Sequence, residues 1–104
     1  MKTNKLNLYP IPLPGVIGKI VDGEAVVILA NKGQVKVLNE VGTRIWELAD
    51  GYRKISEIIK IVSDEFDANI DKIEQDTLDF IDQLVSKGMF TLSQQSIIKG
   101  DPTV

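Results

Sequence analysis

The sequence of 104 residues contains no cysteine and no histidine. Without cysteine there is no disulfide, no thiolate nucleophile, no iron–sulfur cluster and no cysteine zinc site. Without histidine the chain lacks the one side chain that titrates near neutral pH and is also the commonest metal ligand. Carboxylates are then the remaining candidates for acid–base chemistry. The two absences therefore predict a binding domain without a cofactor rather than an enzyme.

Long apolar runs are also absent, since none approaches the roughly 20 residues that a membrane helix needs. Met1–Tyr9 is polar where a signal peptide would carry an apolar core. We therefore expect a cytoplasmic protein that is neither exported nor anchored to lipid. With four prolines and eight glycines the chain does not have the composition of a low-complexity disordered protein. Its length and its 43% hydrophobic content fit one compact domain.

Residues 16–38 show the pattern of three short strands. These are Val16–Val21, Ala25–Leu29 and Gln34–Val37, separated by turns at Asp22-Gly23 and Asn31-Lys32-Gly33. The continuous apolar run of the second predicts a central strand covered on both faces. The polar–apolar alternation of the third predicts a half-buried outer strand. In a simple meander this third strand has one free edge. Either its lysines keep this edge from aggregating, or the edge binds an added strand, which we call the guest strand.

The two ends of the chain differ from this middle part. Residues 1–15 include the alternating prolines of Tyr9–Pro14, which predict an extended, polyproline-like arm. The arm either packs on the domain or serves as a proline-motif ligand for another domain. Residues 93–104 read as a polar carboxyl-terminal tail.

Residues 39–87 carry three helix patterns. The first begins at the cap Asn39 and ends at Asp50-Gly51, and the second has apolar residues at helical spacing from Ile55 to Phe66. The third begins near Asn69 and ends at Lys87-Gly88. Its predicted inward face comprises Ile73, Thr77, Phe80, Ile81, Leu84 and Val85. A short closing strand follows at Met89–Leu92.

Three strands followed by three helices predict an α+β, winged-helix-like domain over residues 16–92. In helix-turn-helix proteins such a last helix enters the major groove of DNA. Residues 63–87, however, contain eight acidic and two basic side chains, a net charge of -6, which phosphates would repel. Residues 1–62 carry a net charge of +3. That half keeps open a winged-helix regulator that contacts nucleic acid, and the free strand edge keeps open a structural dimerisation module.

Three acidic residues of the third helix, Asp76, Asp79 and Asp82, recur every three positions and form a stripe on its surface. No loop has the ligand spacing of an EF-hand, so the sequence predicts no metal site. Carboxylates on a solvated face also have little reason for the raised pKa of a catalytic acid. The stripe is either a solvated face or a docking surface for a basic segment.

The ordered motifs between residues 16 and 92 resemble the PqqD-like family. The family signature LN-x-x-G-x-x-I-W-x-L-x-D-G is similar to Leu38–Leu48 with Asp50-Gly51. The family's V-x-E-I motif is similar to Ile55–Ile59. Its closing motif, D-v-x-x-F-L-x-x-L-x-x-x-G-L, is similar to Asp76–Leu84 with Lys87–Phe90. Each fragment alone is common in helices, but the set in this order and spacing is fairly specific. The sequence departs from the family at Lys54, where Ser or Thr commonly caps the second helix.

The resemblance implies a precursor-peptide recognition element, also called a peptide chaperone. Such a domain captures the leader of a ribosomally made peptide and presents it to a modifying enzyme, often a radical SAM enzyme, in pyrroloquinoline quinone synthesis or another pathway. In the family the leader adds as a strand to the third strand and lies beside the third helix. The matching peptide-binding residues here are Gln34, Val35, Lys36, Val37 and Leu38 on the strand, and Asp76, Thr77, Phe80 and Leu84 on the helix.

We accordingly expect a leader peptide and a maturase as partners, no nucleic acid or membrane, and a monomer or homodimer. An added strand gains affinity from backbone hydrogen bonds, and side-chain pockets supply selectivity. The pocket expected here joins Val35, Val37 and Leu38 of the strand with Phe80 and Leu84 of the helix.

Overall fold

The computed structural model of the chain describes residues 5–29 and 33–96. After a 3-10 turn at Lys5–Asn7, its elements are β1 (Tyr9–Pro12), β2 (Val16–Val21), β3 (Glu24–Leu29), β4 (Gln34–Val37), α1 (Glu40–Leu48), α2 (Ile55–Glu65), α3 (Ile70–Ser86) and β5 (Phe90–Ser93). Strands β2, β3 and β4 form an antiparallel meander in that order, and β1 pairs with β5. The α+β arrangement of a three-stranded sheet followed by three helices is confirmed. Most of the predicted tail, residues 97–104, lies outside the described residues.

Strand β3 is the centre of the meander, as predicted. Its alternate residues Ala25, Val27 and Leu29 are buried, whereas Val26 and Ile28 on the other face are only half-buried. The prediction that both faces are covered is therefore wrong. The buried core with the helices lies on one face of the sheet, which we call the inner face; the opposite face is the outer face.

The Thr43 side chain links α1 by hydrogen bonds to Ala25 of β3 and to Leu38, which follows β4. Its hydroxyl accepts a hydrogen bond from the Ala25 amide at 2.9 Å and donates to the Leu38 carbonyl at 3.4 Å. The Leu38 amide donates directly to the Ala25 carbonyl at 2.8 Å. At the same junction the Asn39 side chain accepts from the Gly42 amide at 2.8 Å, which confirms the predicted cap. The end of β4 and the start of α1 are thus one hydrogen-bonded unit.

The amino-terminal arm is built into the domain. Tyr9–Pro12 pairs antiparallel with Phe90–Ser93, and the Lys5 ammonium lies 2.7 Å from the Asp82 carboxylate. The arm is extended, but as a paired strand rather than the expected polyproline-like segment, because its backbone hydrogen-bonds to β5. This pairing favours packing on the domain over a role as a proline-motif ligand.

The start of α2 has no side-chain cap at Lys54. The Glu57 carboxylate instead accepts from the Lys54 amide at 2.8 Å. The carbonyl of Leu8, in the arm, accepts from the Ile55 amide at 2.9 Å. Two donors at this helix end are therefore satisfied without a serine or threonine.

Helix α3 begins at the cap Asn69, whose side chain accepts from the Asp71 amide at 2.8 Å. It buries Ile73, Thr77, Ile81 and Leu84. The predicted inward face was too wide, because Phe80 is only partly buried and Val85 is exposed. Both residues lie at the margins of the apolar stripe, where a helix turns its side chains toward solvent.

Candidate functional site

Among the strands in residues 5–29 and 33–96, β4 has a neighbour on one side only, and we call its other edge the free edge. Leu38 hydrogen-bonds to Ala25 of β3. Since such bonded pairs alternate along an antiparallel ladder, Lys36 also directs its backbone groups toward β3. The amides and carbonyls of Val35 and Val37 therefore point away from β3. They form a short template on which another strand can pair.

The side chains of β4 alternate in the opposite sense to the one expected from the sequence. Val35 and Val37 lie opposite Ile28 and Val26 on the outer face, and each is 61% exposed. The side chain of Lys36 belongs to the inner face, because its partner Val27 is fully buried there. The polar residue faces the helices and the valines face away from them.

The expected pocket of three strand residues with two helix residues does not form. Val35 and Val37 point to the outer face, while Leu38 and Leu84 are buried in the core at 3% and 0% exposure. Of the five, Phe80 and Val35 line clefts, and these are two different clefts. Leu38 and Leu84 support the site from beneath rather than line it.

The first of two clefts, which we call the helix cleft, lies where β4 leads into α1. Its volume is about 220 Å³. Its walls include Val41, Gly42, Ile45, Ile73, Asp76 and Phe80. A Cβ atom at position 42 would lie 3.2 Å from the Asn39 side chain and 3.6 Å from the Phe80 ring. Glycine here lets the start of α1 approach α3 closely and leaves the cleft unfilled.

The second cleft, which we call the lysine cleft, lies beside β4 itself. Its volume is about 240 Å³, and its walls are Gln34, Val35, Lys36, Lys87 and Met89. Lys87 is the carboxyl-terminal cap of α3, whereas the helix cleft contains residues from the first half of that helix. Helix α3 therefore runs antiparallel to β4. The free edge with a cleft toward each end forms one surface, which we call the β4 groove.

The acidic stripe of α3 is partly neutralised. Asp76 lies 3.1 Å from the Lys72 ammonium, and Asp82 lies 2.7 Å from that of Lys5. Asp79 has no ion pair with any residue that the structure describes. Of the three, Asp76 lines the groove, so the stripe meets it at the helix cleft only.

Several residues that line the β4 groove were not predicted as binding residues from the sequence. Ile73 precedes Phe80 by seven positions, two helical turns, so helical spacing could have placed both on one face. Lys87 and Met89 follow the end of α3, and no local pattern pairs them with Lys36. Thr77 was expected both on the inward face of α3 and among the peptide-binding residues; it is fully buried and lines neither cleft.

An ion pair between Arg44 and Glu65 joins α1 to α2 outside both clefts. The Glu65 carboxylate accepts from Arg44 Nε at 2.7 Å and from Nη2 at 2.9 Å. These hydrogen bonds lower the pKa of Glu65 and raise the pKa of Arg44.

Among residues 5–29 and 33–96, no carboxylate cluster has the arrangement of a metal site. The same residues include no helix with the length and apolarity to cross a membrane.

The fold and the groove define a class of protein, an α+β domain that presents an open strand edge and two flanking clefts beside its third helix. The family model for coenzyme PQQ synthesis protein D, PqqD, matches residues 24–89. This match spans more than half of the sequence, and the chain belongs to the PqqD family. The resemblance read from the motifs is confirmed.

The chain is also similar to the solved structure of TbiB1 in complex with the TbiA(β) leader peptide. The two chains are 26% identical, with a TM-score of 0.71. The match covers 77% of this chain and 93% of that chain. No curated protein matches the sequence.

Proposed function

We propose that this protein is a non-catalytic adaptor that binds the leader of a ribosomally made precursor peptide in the β4 groove. It presents the rest of the precursor to a modifying enzyme such as a radical SAM maturase, in pyrroloquinoline quinone synthesis or a related pathway. It acts in the cytoplasm, where such precursors are made. Membership of the PqqD family and similarity to a leader-bound protein support this function.

The free edge of β4 is the observation that carries the proposal. Val35 and Val37 offer outward backbone groups, so a guest strand gains hydrogen bonds whatever its sequence. Guest side chains then alternate between the two faces of the extended sheet. Those on the outer face lie beside the two valines, and those on the inner face enter the clefts. Selectivity arises mainly on the inner face.

The nucleic-acid alternative has less support. Asp71, Asp76, Asp79 and Asp82 are exposed on α3, the helix that would have to approach phosphates, and would be repelled by them. In the basic half of the chain, Lys5, Arg44 and Arg53 each lie within 4.0 Å of a carboxylate. Cations already paired in this way release fewer counterions on binding DNA, so their contribution to affinity falls.

The test is a proline substitution at the free edge. A displayed library of random peptides, about 12 residues long to span β4 at about 3.3 Å per residue, is selected on the purified full chain. Enriched peptides are then titrated against Val35→Pro. Proline removes an amide that points away from β3, so the variant folds but loses one guest hydrogen bond and clashes with the guest strand. We expect binding to fall at least about tenfold, or about 1.4 kcal/mol.

The matched control is Ile20→Pro on β2, the other edge of the meander. The Val16 amide donates to Leu13 instead of to β3, so by alternation the Ile20 amide also points outward. This variant should bind the peptides as the wild type does. Equal affinity of all three proteins, with unchanged far-UV circular dichroism, would refute strand addition at β4. Dimers that dissociate when peptide is added would show that self-pairing uses the same edge.

A further inference from the structure

The two clefts of the β4 groove differ in charge. Among the described residues, the lysine cleft is lined by two cations, Lys36 and Lys87, and by no anion. The helix cleft contains the carboxylate of Asp76. Neither Lys36 nor Lys87 lies within ion-pair distance of a carboxylate in the part of the chain that the structure describes. The groove is therefore basic toward one end and acidic toward the other.

The end of α3 only partly offsets this positive charge. Lys87 caps α3, whose last carbonyls carry about half of a negative elementary charge. Two ammonium groups exceed that charge about fourfold. Met89, which is 1% exposed, contributes an apolar group and no charge to the wall of the cleft. The cleft retains a net attraction for an anion.

The register of β4 determines which guest residue meets these cations. The Lys36 side chain is on the inner face, and a residue placed directly opposite it on an added strand has its side chain on the same face. Directly opposite Cβ atoms are about 4.5–5.5 Å apart. The guest residue two positions away, opposite Leu38, also faces inward, next to the largely apolar helix cleft that contains Ile73 and Phe80.

We propose that the lysine cleft is a subsite for an aspartate or glutamate of the bound peptide. The acidic residue lies opposite Lys36, and a large apolar residue lies two positions away, beside the helix cleft. The spacing of two is the same whether the guest strand is parallel or antiparallel to β4. This inference rests on the proposed function, because it takes strand addition at β4 as given.

The experiment compares peptides selected on three full-length proteins from the same random library. On the wild type we expect an aspartate or glutamate two positions from a large apolar residue. On Lys36→Glu/Lys87→Glu we expect lysine or arginine at that position instead. The control Lys19→Glu/Lys60→Glu makes the same change in net charge at exposed residues outside both clefts, and should select acidic peptides like the wild type.

Affinities of the selected peptides complete the test. A wild-type peptide should bind the Lys36→Glu/Lys87→Glu variant at least about tenfold more weakly, equivalent to about 1.4 kcal/mol, and its affinity for the wild type should fall with added salt. If charge reversal prevents folding, Lys36→Gln/Lys87→Gln should still lose the acidic preference. Peptides that bind through the Val35 edge with no acidic preference would overturn the subsite and leave the proposed function standing. Absence of any peptide that binds wild type better than Val35→Pro would overturn both.

Discussion

Two buried threonines of this domain should respond in opposite ways to the same substitution, Thr→Val. Thr43 is 6% exposed, and its hydroxyl joins the Ala25 amide, at 2.9 Å, to the Leu38 carbonyl, at 3.4 Å. Thr77 is fully buried, and its hydroxyl has no hydrogen-bond partner among the described residues. Valine has nearly the same shape but no hydroxyl. The pair of variants therefore separates the hydrogen bond from the packing.

The distances give the expected size of each effect. In Thr43→Val the Ala25 amide loses a well-formed bond, and leaving a buried group unsatisfied costs about 1–3 kcal/mol. The bond to Leu38 is longer than the usual range for a hydroxyl donor, so its loss adds less than about 1 kcal/mol. We expect a total destabilisation of about 1–4 kcal/mol. In Thr77→Val an unpaired hydroxyl leaves the core, and we expect stabilisation by about 1 kcal/mol.

Urea unfolding at neutral pH measures both changes, with the fluorescence of Trp46, the single tryptophan, as the signal. A lower midpoint with an unchanged slope reports lost stability. Thr43→Ser keeps the hydroxyl and removes one methyl group, so it should be destabilised by about 1 kcal/mol and less than Thr43→Val. Equal stability of Thr43→Val and the wild type would refute the bridging role. A Thr77→Val variant as unstable as Thr43→Val would refute the view that the Thr77 hydroxyl is unpaired.

Two further predictions concern packing and pH. Replacing Gly18 with alanine would place a Cβ atom 2.5 Å from the Trp46 ring, which stacks on Phe90 at a centroid distance of 5.5 Å and so has little freedom to withdraw. We expect a loss of about 1–3 kcal/mol and a changed near-UV circular dichroism signal; an unchanged melting temperature and spectrum would contradict the contact. Because Arg44 lowers the pKa of Glu65, the stabilisation from this pair is present above the ordinary glutamate pKa of 4.5 and disappears as the pH falls through the lowered pKa. The difference in unfolding midpoint between wild type and Glu65→Gln should therefore be largest near neutral pH and vanish in acid, and a difference independent of pH would argue against the pair.

The helices were predictable from the sequence because their ends depend on local chemistry. Asn39 and Asn69 cap α1 and α3 through their own side chains, and Gly88 adopts the positive φ of a helix end, 76°. The pairing of β1 with β5 was not predictable, because it joins segments at opposite ends of the described chain. Local patterns carry no information on which distant strand supplies the partner.

The sequence predicted the strand edge that borders the candidate site, but it did not predict which way the side chains of that strand point. The alternation in β4 predicted valines facing inward, whereas the structure directs Lys36 inward and leaves Val35 and Val37 exposed. The ordinary rule fails because the inner face beside β4 opens onto a cleft rather than the core. A polar residue on the inner face is expected where structure serves binding rather than packing. The free edge itself did follow from the meander.

The pairing of β1 with β5 has a consequence for the order in which the protein folds. A ribosome completes Tyr9–Pro12 early, but the partner strand Phe90–Ser93 emerges only after all three helices. The β2–β3–β4 meander needs only its neighbours in sequence, and local contacts form faster than distant ones. We therefore expect β4 and α3 to be in place before the arm docks. During that interval one edge of β5 lacks its partner, and the nascent chain passes through a stage more prone to mispairing than its finished form.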